Sequence, residues 1–411
     1  MAGGLVIVGA SLAGMRAAQA ARNADYEGDL TVIGEEQHMP YTRPPLSKGL
    51  LAGIDDVGSC HFPADGLEVT WRLGERATAL DSGARRVMLA CGEAVEYDQV
   101  VLATGCRARP WPGPGGELEG VHTLRHLDDA LALQRALAGR PKLAIVGAGF
   151  IGCEVAASAR KLGIDVTLVD IAALPMPGLG EVIGERCVQM HREHGVDLRL
   201  GTGITALHGN ATGHVEAIEP VDGTRIDAQV VVVALGAIPN TEWLEGSRLT
   251  LEPGVLCDPT LRAVGADDVF AAGDIAAWPH PLSPDAPIRI EHWTNAAEQG
   301  TLAGRNAVVD PAERREHTSV PMFWSDQYDV KIQAVGLPRL ASKIHMAEAA
   351  PEGDRFVAIG ERDGTVVAAY GWAAARRLPF YRKQVAEGAR AGDVLAAAAA
   401  DPRAFGSAVT A

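Results

Sequence analysis

Short apolar runs recur along the chain, and the clearest ones end on small residues. Leu5-Val6-Ile7-Val8 leads into Gly9-Ala10-Ser11-Leu12-Ala13-Gly14 and then an alanine- and arginine-rich stretch to about Asn23. Leu143-Ala144-Ile145-Val146 leads into Gly147-Ala148-Gly149-Phe150-Ile151-Gly152 and a second such stretch. Four apolar residues in a row, bounded by glycine, predict a strand buried on both faces, and the stretch behind each glycine turn reads as a helix. Further strands are predicted at Leu30-Thr31-Val32-Ile33, followed by Gly34-Glu35, and at Val166-Thr167-Leu168-Val169, ending on Asp170. One βαβ unit therefore occurs twice.

Each unit has the build of a dinucleotide-binding turn. In the second copy Gly147 permits the tight turn, Gly149 lets backbone approach a pyrophosphate, and Gly152 lets helix pack closely on strand. The N–H groups at the helix start, with the positive end of its dipole, receive phosphates. Asp170 lies eighteen residues past Gly152, where a carboxylate accepts from ribose hydroxyls. It would repel a 2′-phosphate, and Ile171-Ala172-Ala173 supplies no arginine, so the pattern reads as NAD(H) over NADP(H). In the first copy Ser11 replaces the middle glycine, and its hydroxyl is a possible phosphate donor; Glu35 is the ribose acid. Two such turns call for two dinucleotides, and the economical pair is a resident FAD and a visiting NADH.

Pro40-Tyr41-Thr42-Arg43-Pro44-Pro45-Leu46-Ser47-Lys48 is a proline-stiffened loop carrying two cations. As a cofactor loop it places Arg43 on pyrophosphate charge and Lys48 near the isoalloxazine, where a cation favours the anionic reduced ring. Residues 67–101 read as a β-meander, including Val69-Thr70-Trp71 and Arg86-Val87-Met88-Leu89, before a buried strand ending in Ala103-Thr104-Gly105. Residues 122–137 read as helix, as do 181–194, with a strand at 196–200. The strand 228–236, ending on Gly236, repeats the strand before Gly105. That duplication points to two homologous halves, the second inserted into the first. Gly273-Asp274 ends a further strand, and Asp274 is placed to accept from a ribityl chain. Glu291-His292-Trp293 precedes a helix to about Val308, and residues 320–333 are aromatic and strand-like. Strands near 355–362 and 365–374 and then helices complete a third, α+β part, with a short helix at 394–400. The expected domains are 1–112 and 239–316 for FAD, 113–238 for NAD, and 317–411 at the C-terminal end.

At 411 residues, 47% hydrophobic and 22% charged, the chain reads as a multidomain soluble protein. A formal charge of −15 argues against nucleic acid and against anionic membranes. No apolar run is long enough to span a bilayer, and the first strand begins too soon for a leader peptide. Six scattered cysteines without a Cys-x-x-Cys pair fit a cytoplasmic protein without a metal centre.

Taken together, residues 9–14 with Glu35, the Arg43-Pro44-Pro45-Leu46-Ser47-Lys48 loop, residues 147–152 with Glu154, Ala272-Gly273-Asp274, Glu291-His292-Trp293 and Phe323-Trp324-Ser325-Asp326-Gln327-Tyr328 carry a resemblance. The chain resembles the FAD-dependent NADH:ferredoxin reductases that serve bacterial cytochrome P450 and Rieske oxygenase systems. The resemblance implies an α/β, glutathione-reductase-like fold of two Rossmann-like domains plus a C-terminal α+β domain. It implies that Lys48 lies beside the flavin and pairs with Glu154, which also faces the nicotinamide. It places Asp274 on the ribityl chain, and Trp293 and Trp324 near the isoalloxazine. The implied partner is a [2Fe-2S] ferredoxin, and through it an oxygenase; a monomer or weak homodimer is expected. Disulfide reductases of this fold carry cysteine just after the ribose acid, whereas residues 36–52 have none. A rubredoxin or oxygen acceptor, or an NADH-sensing role like that of apoptosis-inducing factor, remain the alternatives. The basic stretch Arg376, Arg377, Arg382, Lys383 and Arg390 is a candidate docking face for an acidic ferredoxin.

Overall fold

The apolar tetrads become the buried centres of two parallel sheets. A computed structural model describes residues 4–64, 66–350 and 352–401; the outer ends of the first and last expected domains, 1–3 and 402–411, lie outside the described residues. The chain divides into two units. One comprises Met1–Thr42, Cys60–Arg107 and Ile238–Pro321; the other comprises Arg43–Ser59, Ala108–Ala237 and Met322–Ala411.

In the first unit the strands run in the spatial order Val269–Ala271, Gln99–Leu102, Leu5–Val8, Leu30–Gly34, Thr70–Leu73, all parallel. Leu5–Val8 sits at the centre because all four of its residues are apolar and both faces are covered. Helix Leu12–Asn23 packs on helix Trp293–Val308 with almost no gap. A Cβ on Gly300 or Gly304 would stand 2.3 or 2.2 Å from the carbonyl oxygen of Ala13 or Ala17. These two glycines let the backbones touch, which draws the second helix over the first nucleotide turn.

The second unit repeats the arrangement: Asp197–Leu200, Val166–Asp170, Leu143–Val146, Val230–Val233, Val121–His122, again all parallel. A five-stranded antiparallel sheet follows in the order Met322–Gln327, Val330–Gly336, Thr365–Trp372, Phe356–Arg362, Lys343–Ala349, with helices Leu378–Ala386 and Ala391–Ala400 behind it. Its first strand lies against helix Phe150–Lys161, and Lys161 Nζ donates to the Tyr328 carbonyl at 2.7 Å.

Two local expectations change, and one stretch without an expectation gains structure. Thr70–Leu73 is an edge strand of the first parallel sheet rather than part of a meander; the meander proper is Ala77–Asp81, Arg86–Leu89 and Ala94–Glu96. Val121–His122 pairs with Val231 and Val232, so the helix predicted from 122 starts only at Leu127, where the Asp129 carboxylate caps the His126 N–H. Between Asp274 and Trp293 the chain forms a hairpin, Ala276–His280 with Ser283–Arg289, before the helix begins. No helix among the described residues is long and apolar enough to cross a membrane.

Candidate active site

The first nucleotide turn lies wholly in the first unit. Gly9 has φ +119, and a Cβ there would meet the Ala103 carbonyl oxygen at 2.2 Å; one on Gly14 would meet the Gly9 oxygen at 1.8 Å. Both positions therefore demand glycine. Ser11 is the extended residue that starts the helix, with Leu12 and Ala13 in its first turn, where backbone N–H groups have no acceptor within the helix. Thr104 is tied to Asn240 by its hydroxyl (3.1 Å) and by its carbonyl (2.9 Å), and Gly105 follows at φ +63. Glu35 stands exposed just past strand Leu30–Gly34.

Gly273, at φ +78, lies close to Ala13, and its N–H donates to Gln299 Oε1 at 2.9 Å. That bond fixes which end of the amide is which. Gln299 Nε2 is then a buried donor without an acceptor among the described residues. Its place beside the turn fits an anionic group of a bound dinucleotide, and the residue went unnoticed in the sequence because no spacing ties it to the glycines. Asp274 is buried, and its carbonyl accepts from Arg289 Nη1 at 2.9 Å, which also pairs with Glu291 at 2.7 Å. His292 starts the helix whose first residue, Trp293, donates through its indole N–H to Thr42 Oγ1 at 3.1 Å.

The second turn has the same steric signature. Gly147 has φ +109, and a Cβ on Gly152 would stand 1.9 Å from the Gly147 oxygen. Over Gly149 and Gly236 nothing lies within 4 Å of that position, so this turn offers open space to a phosphate. Asp170 accepts from the Ala148 N–H at 2.5 Å and the Ala172 N–H at 2.7 Å, which aims its carboxylate across the turn. Next to it, Ile171 and Val221 are 80% and 66% exposed. Their methyl carbons both overhang Gly203, 3.3 and 3.5 Å from where its Cβ would be. This exposed apolar pair beside Asp170 has the chemistry to take a flat purine ring, and fifty residues of chain separate the two, which hides it from motif reading. Ile151 is 41% exposed at the helix start, and Phe150 meets Phe323 edge-on at 4.9 Å.

Lys48 and Glu154 meet in this same unit. Lys48 Nζ lies 2.6 Å from Glu154 Oε2, and its side chain is 19% exposed against 4% for the glutamate. Ser47 Oγ donates to the same oxygen at 2.5 Å, and Ser325 Oγ donates to Oε1 at 2.7 Å. The turn Pro44–Ser47 is held to helix Phe150–Lys161 by Ser158 Oγ, which donates to the Ser47 carbonyl at 2.7 Å. A nearly buried carboxylate thus carries one ion pair and two hydroxyl bonds, which offset its loss of water. Arg43 turns its Nη1 to the Arg125 carbonyl at 2.5 Å. Trp324 has the Lys331 ammonium 5.8 Å from its ring centre.

The basic stretch is less uniform than its sequence. Arg377 is buried, holding Glu348 through two nitrogens at 2.7 to 3.0 Å and Asp401 at 3.1 Å. It is a structural ion pair and leaves the candidate docking face; Arg376, Lys383 and Arg390 stay exposed.

His191 is fully buried between Gln327 and Tyr328, and burial lowers it from 6.5 to about 4. Between those values the unfolded chain takes the proton and the folded chain does not. Stability therefore falls as pH drops from 6.5 towards 4, by about 3 kcal/mol for the whole shift. Urea midpoints near neutrality and at about pH 4.5 test this. His191→Asn is expected to show a shallower loss than the native chain; equal slopes would contradict the assignment.

Two glycine turns of one build, each at the head of its own parallel sheet, define an oxidoreductase that handles two dinucleotides. Comparison with known proteins gives the same class: residues 4–300 match the pyridine nucleotide-disulphide oxidoreductase family, and residues 322–404 match the reductase C-terminal family. The chain belongs to the pyridine nucleotide-disulphide oxidoreductase family. It is 38% identical to rhodocoxin reductase of Rhodococcus erythropolis, over 81% of this chain and 78% of that one. It is 36% identical to the biphenyl dioxygenase system ferredoxin–NAD(+) reductase component of Paraburkholderia xenovorans (strain LB400), over 89% and 88%. Among solved structures, the covalent putidaredoxin reductase–putidaredoxin complex superposes with a TM-score of 0.89 at 29% identity, covering 97% of this chain and 99% of that one. Despite the family's name no disulfide joins any of the six cysteines, and five of them are buried.

Proposed function

We propose that the chain is an NADH-dependent ferredoxin reductase that feeds a [2Fe-2S] ferredoxin, and through it a cytochrome P450 or Rieske oxygenase. The observation that carries this reading is the pairing of two glycine turns with a cysteine-free stretch at 36–52. With no thiol after the first ribose acid, the chain has no disulfide relay of its own there, and the electrons go to an external acceptor. Segments 1–112 and 239–316 bind FAD, 113–238 binds NADH, and 317–411 forms the third domain. The location is the cytoplasm, in keeping with the free thiols.

Bound FAD supplies the chemistry of accepting a hydride and releasing electrons singly. The chain's residues do the rest by position and charge. Gly9, Ser11, Leu12, Ala13 and Gly14 cradle the FAD pyrophosphate, Glu35 takes its ribose, and Arg43 offsets its charge. Ala103, Thr104 and Gly105 border the same cofactor, Asp274 with Gly273 takes the ribityl hydroxyls, and Glu291, His292 and Trp293 line the ring. Gly147, Gly149, Phe150, Ile151, Gly152 and Gly236 receive NADH, with Ile171 and Val221 against its adenine. Lys48 presents its ammonium to the flavin, Glu154 holds Lys48 in place, and Trp324 covers the ring. No side chain need act as nucleophile or general base.

Asp170 sets the choice of nicotinamide. Asp170→Asn is expected to raise the KM for NADH about tenfold and to narrow the preference over NADPH, since the carboxylate's bonds to two hydroxyls are weakened and its repulsion is gone. Anaerobic titration of the visible spectrum with NADH and NADPH measures both. Equal bleaching of the native protein by both nucleotides would count against the reading.

A further inference from the structure

The strand Met322–Gln327 reverses the usual alternation. Its inward positions Ser325 and Gln327 are polar and fully buried, while Trp324 and Asp326 on the other face are half exposed. Buried polar groups are unfavourable unless partnered, and an apolar pair would fill the same space without that requirement. Both residues are partnered, and the partners form one line. Ser325 Oγ bonds Glu154 Oε1 at 2.7 Å and Gln327 Nε2 at 3.1 Å; Gln327 Oε1 bonds His191 Nε2 at 3.0 Å; His191 Nδ1 bonds the Tyr328 hydroxyl at 3.1 Å.

The direction of every bond in the line follows from its end. An ionised carboxylate accepts only, so the Ser325 hydroxyl donates to it and accepts from the Gln327 amide N–H. The Gln327 oxygen then faces His191, whose Nε2 carries the proton, leaving Nδ1 to accept from Tyr328. All the donors point towards Glu154. On its other oxygen the carboxylate receives Lys48 and Ser47 at 2.6 and 2.5 Å. With both oxygens held, the carboxylate cannot rotate, and the site where Lys48 docks is fixed from behind. The far end is anchored too. Tyr328 occupies the hairpin turn at φ +53, and its ring stacks on His194 at 3.6 Å.

We propose that Ser325, backed by Gln327, is a positioning residue for electron transfer: it aims the Glu154 carboxylate at Lys48 and so sets how much positive charge reaches the flavin. This rests on the reading above that Lys48 faces the flavin. Ser325 thereby acts on Lys48 through Glu154 and need not touch the cofactor itself.

Four purified, FAD-loaded proteins test this: native, Ser325→Ala, Lys48→Met and the double variant. Gln327→Met, which breaks the line one link further back, serves as a second probe. The readouts are the flavin midpoint potential and the rate of flavin reduction by NADH in stopped flow. Ser325→Ala is expected to lower the potential in the same sense as Lys48→Met but by less, and to slow reduction about tenfold, the scale of one lost hydrogen bond to a charged group. In the Lys48→Met background the same change is expected to alter the rate by no more than about twofold, because residues acting through one another are not additive. A merely structural Ser325 would lower the unfolding temperature and leave the potential at the native value; that result, with Lys48→Met still shifting it, overturns the proposal alone. An undiminished Ser325→Ala effect without Lys48 overturns it as well. If Lys48→Met itself leaves the potential unchanged, the placement of Lys48 at the flavin falls, and the proposal with it.

Discussion

Gly152→Ala is expected to leave the protein yellow and nearly blind to NADH. The added Cβ would sit 1.9 Å from the Gly147 carbonyl oxygen, far inside contact distance, so the start of helix Phe150–Lys161 must move away from its strand. The proposed function puts the NADH phosphates at that helix start, and a displacement of about 1 Å in a positioning element costs roughly 10²-fold in rate. The kcat/KM for NADH should fall by at least about 10²-fold. Flavin content should remain near that of the native chain, because the matching contact in the first unit, Gly14 against Gly9, is untouched. Flavin absorbance at purification and stopped-flow bleaching by NADH separate the two effects. Loss of the flavin in Gly152→Ala would assign this turn to the wrong nucleotide.

The second large effect concerns charge. Lys48→Met keeps the length of the side chain and removes its ammonium. Flavin reduction by NADH is expected to slow by about 10²-fold, comparable with the removal of one preorganised electrostatic donor from an active site. The change also leaves Glu154 buried with a negative charge and no cation, so the unfolding temperature should drop. Glu154→Gln supplies the control. It removes the buried charge, so in the Lys48→Met background it should restore stability without restoring the rate. Recovery of the rate in that double variant would mean that the carboxylate, and not the missing cation, had caused the loss.

How much of this could be read from the sequence depends on whether the responsible partners are neighbours along the chain. Leu5–Val8 and Leu143–Val146 announce themselves because four apolar residues followed by a glycine turn have few other uses. Their glycines were legible for the same reason: the clashes that require them, Gly14 on Gly9 and Gly152 on Gly147, are five residues apart. Thr70–Leu73 was misplaced because a short strand carries no mark of its partner, which here is Leu30–Gly34. Ser283–Arg289, with two prolines and four exposed residues, carries no strand pattern of its own, since an edge strand needs little burial.

The candidate site divides along the same line. Asp170 follows from its distance to Gly152, whereas the Ile171 and Val221 pair exists only after the chain has folded over Gly203. The basic stretch misled because Arg377 is adjacent to Arg376 in sequence, yet a buried Glu348 and Asp401 claim it. Ser325 was visible inside an aromatic segment, but its partner Glu154 is 171 residues upstream, beyond any local pattern. The duplicated halves show this most directly, since the two turns match in steric detail while Gln299 beside one and the Lys48–Glu154 pair beside the other come from remote segments.

The central claim is that a pair of electrons enters from NADH and leaves one at a time to an iron–sulfur protein. The direct measurement is anaerobic stopped flow in which the protein, reduced by one equivalent of NADH, is mixed with an excess of oxidised [2Fe-2S] ferredoxin. The account predicts two ferredoxins reduced per NADH, at a rate that far exceeds reoxidation by dissolved oxygen in a parallel mix. A reduced flavin that is reoxidised rapidly by oxygen and leaves the ferredoxin oxidised would contradict it.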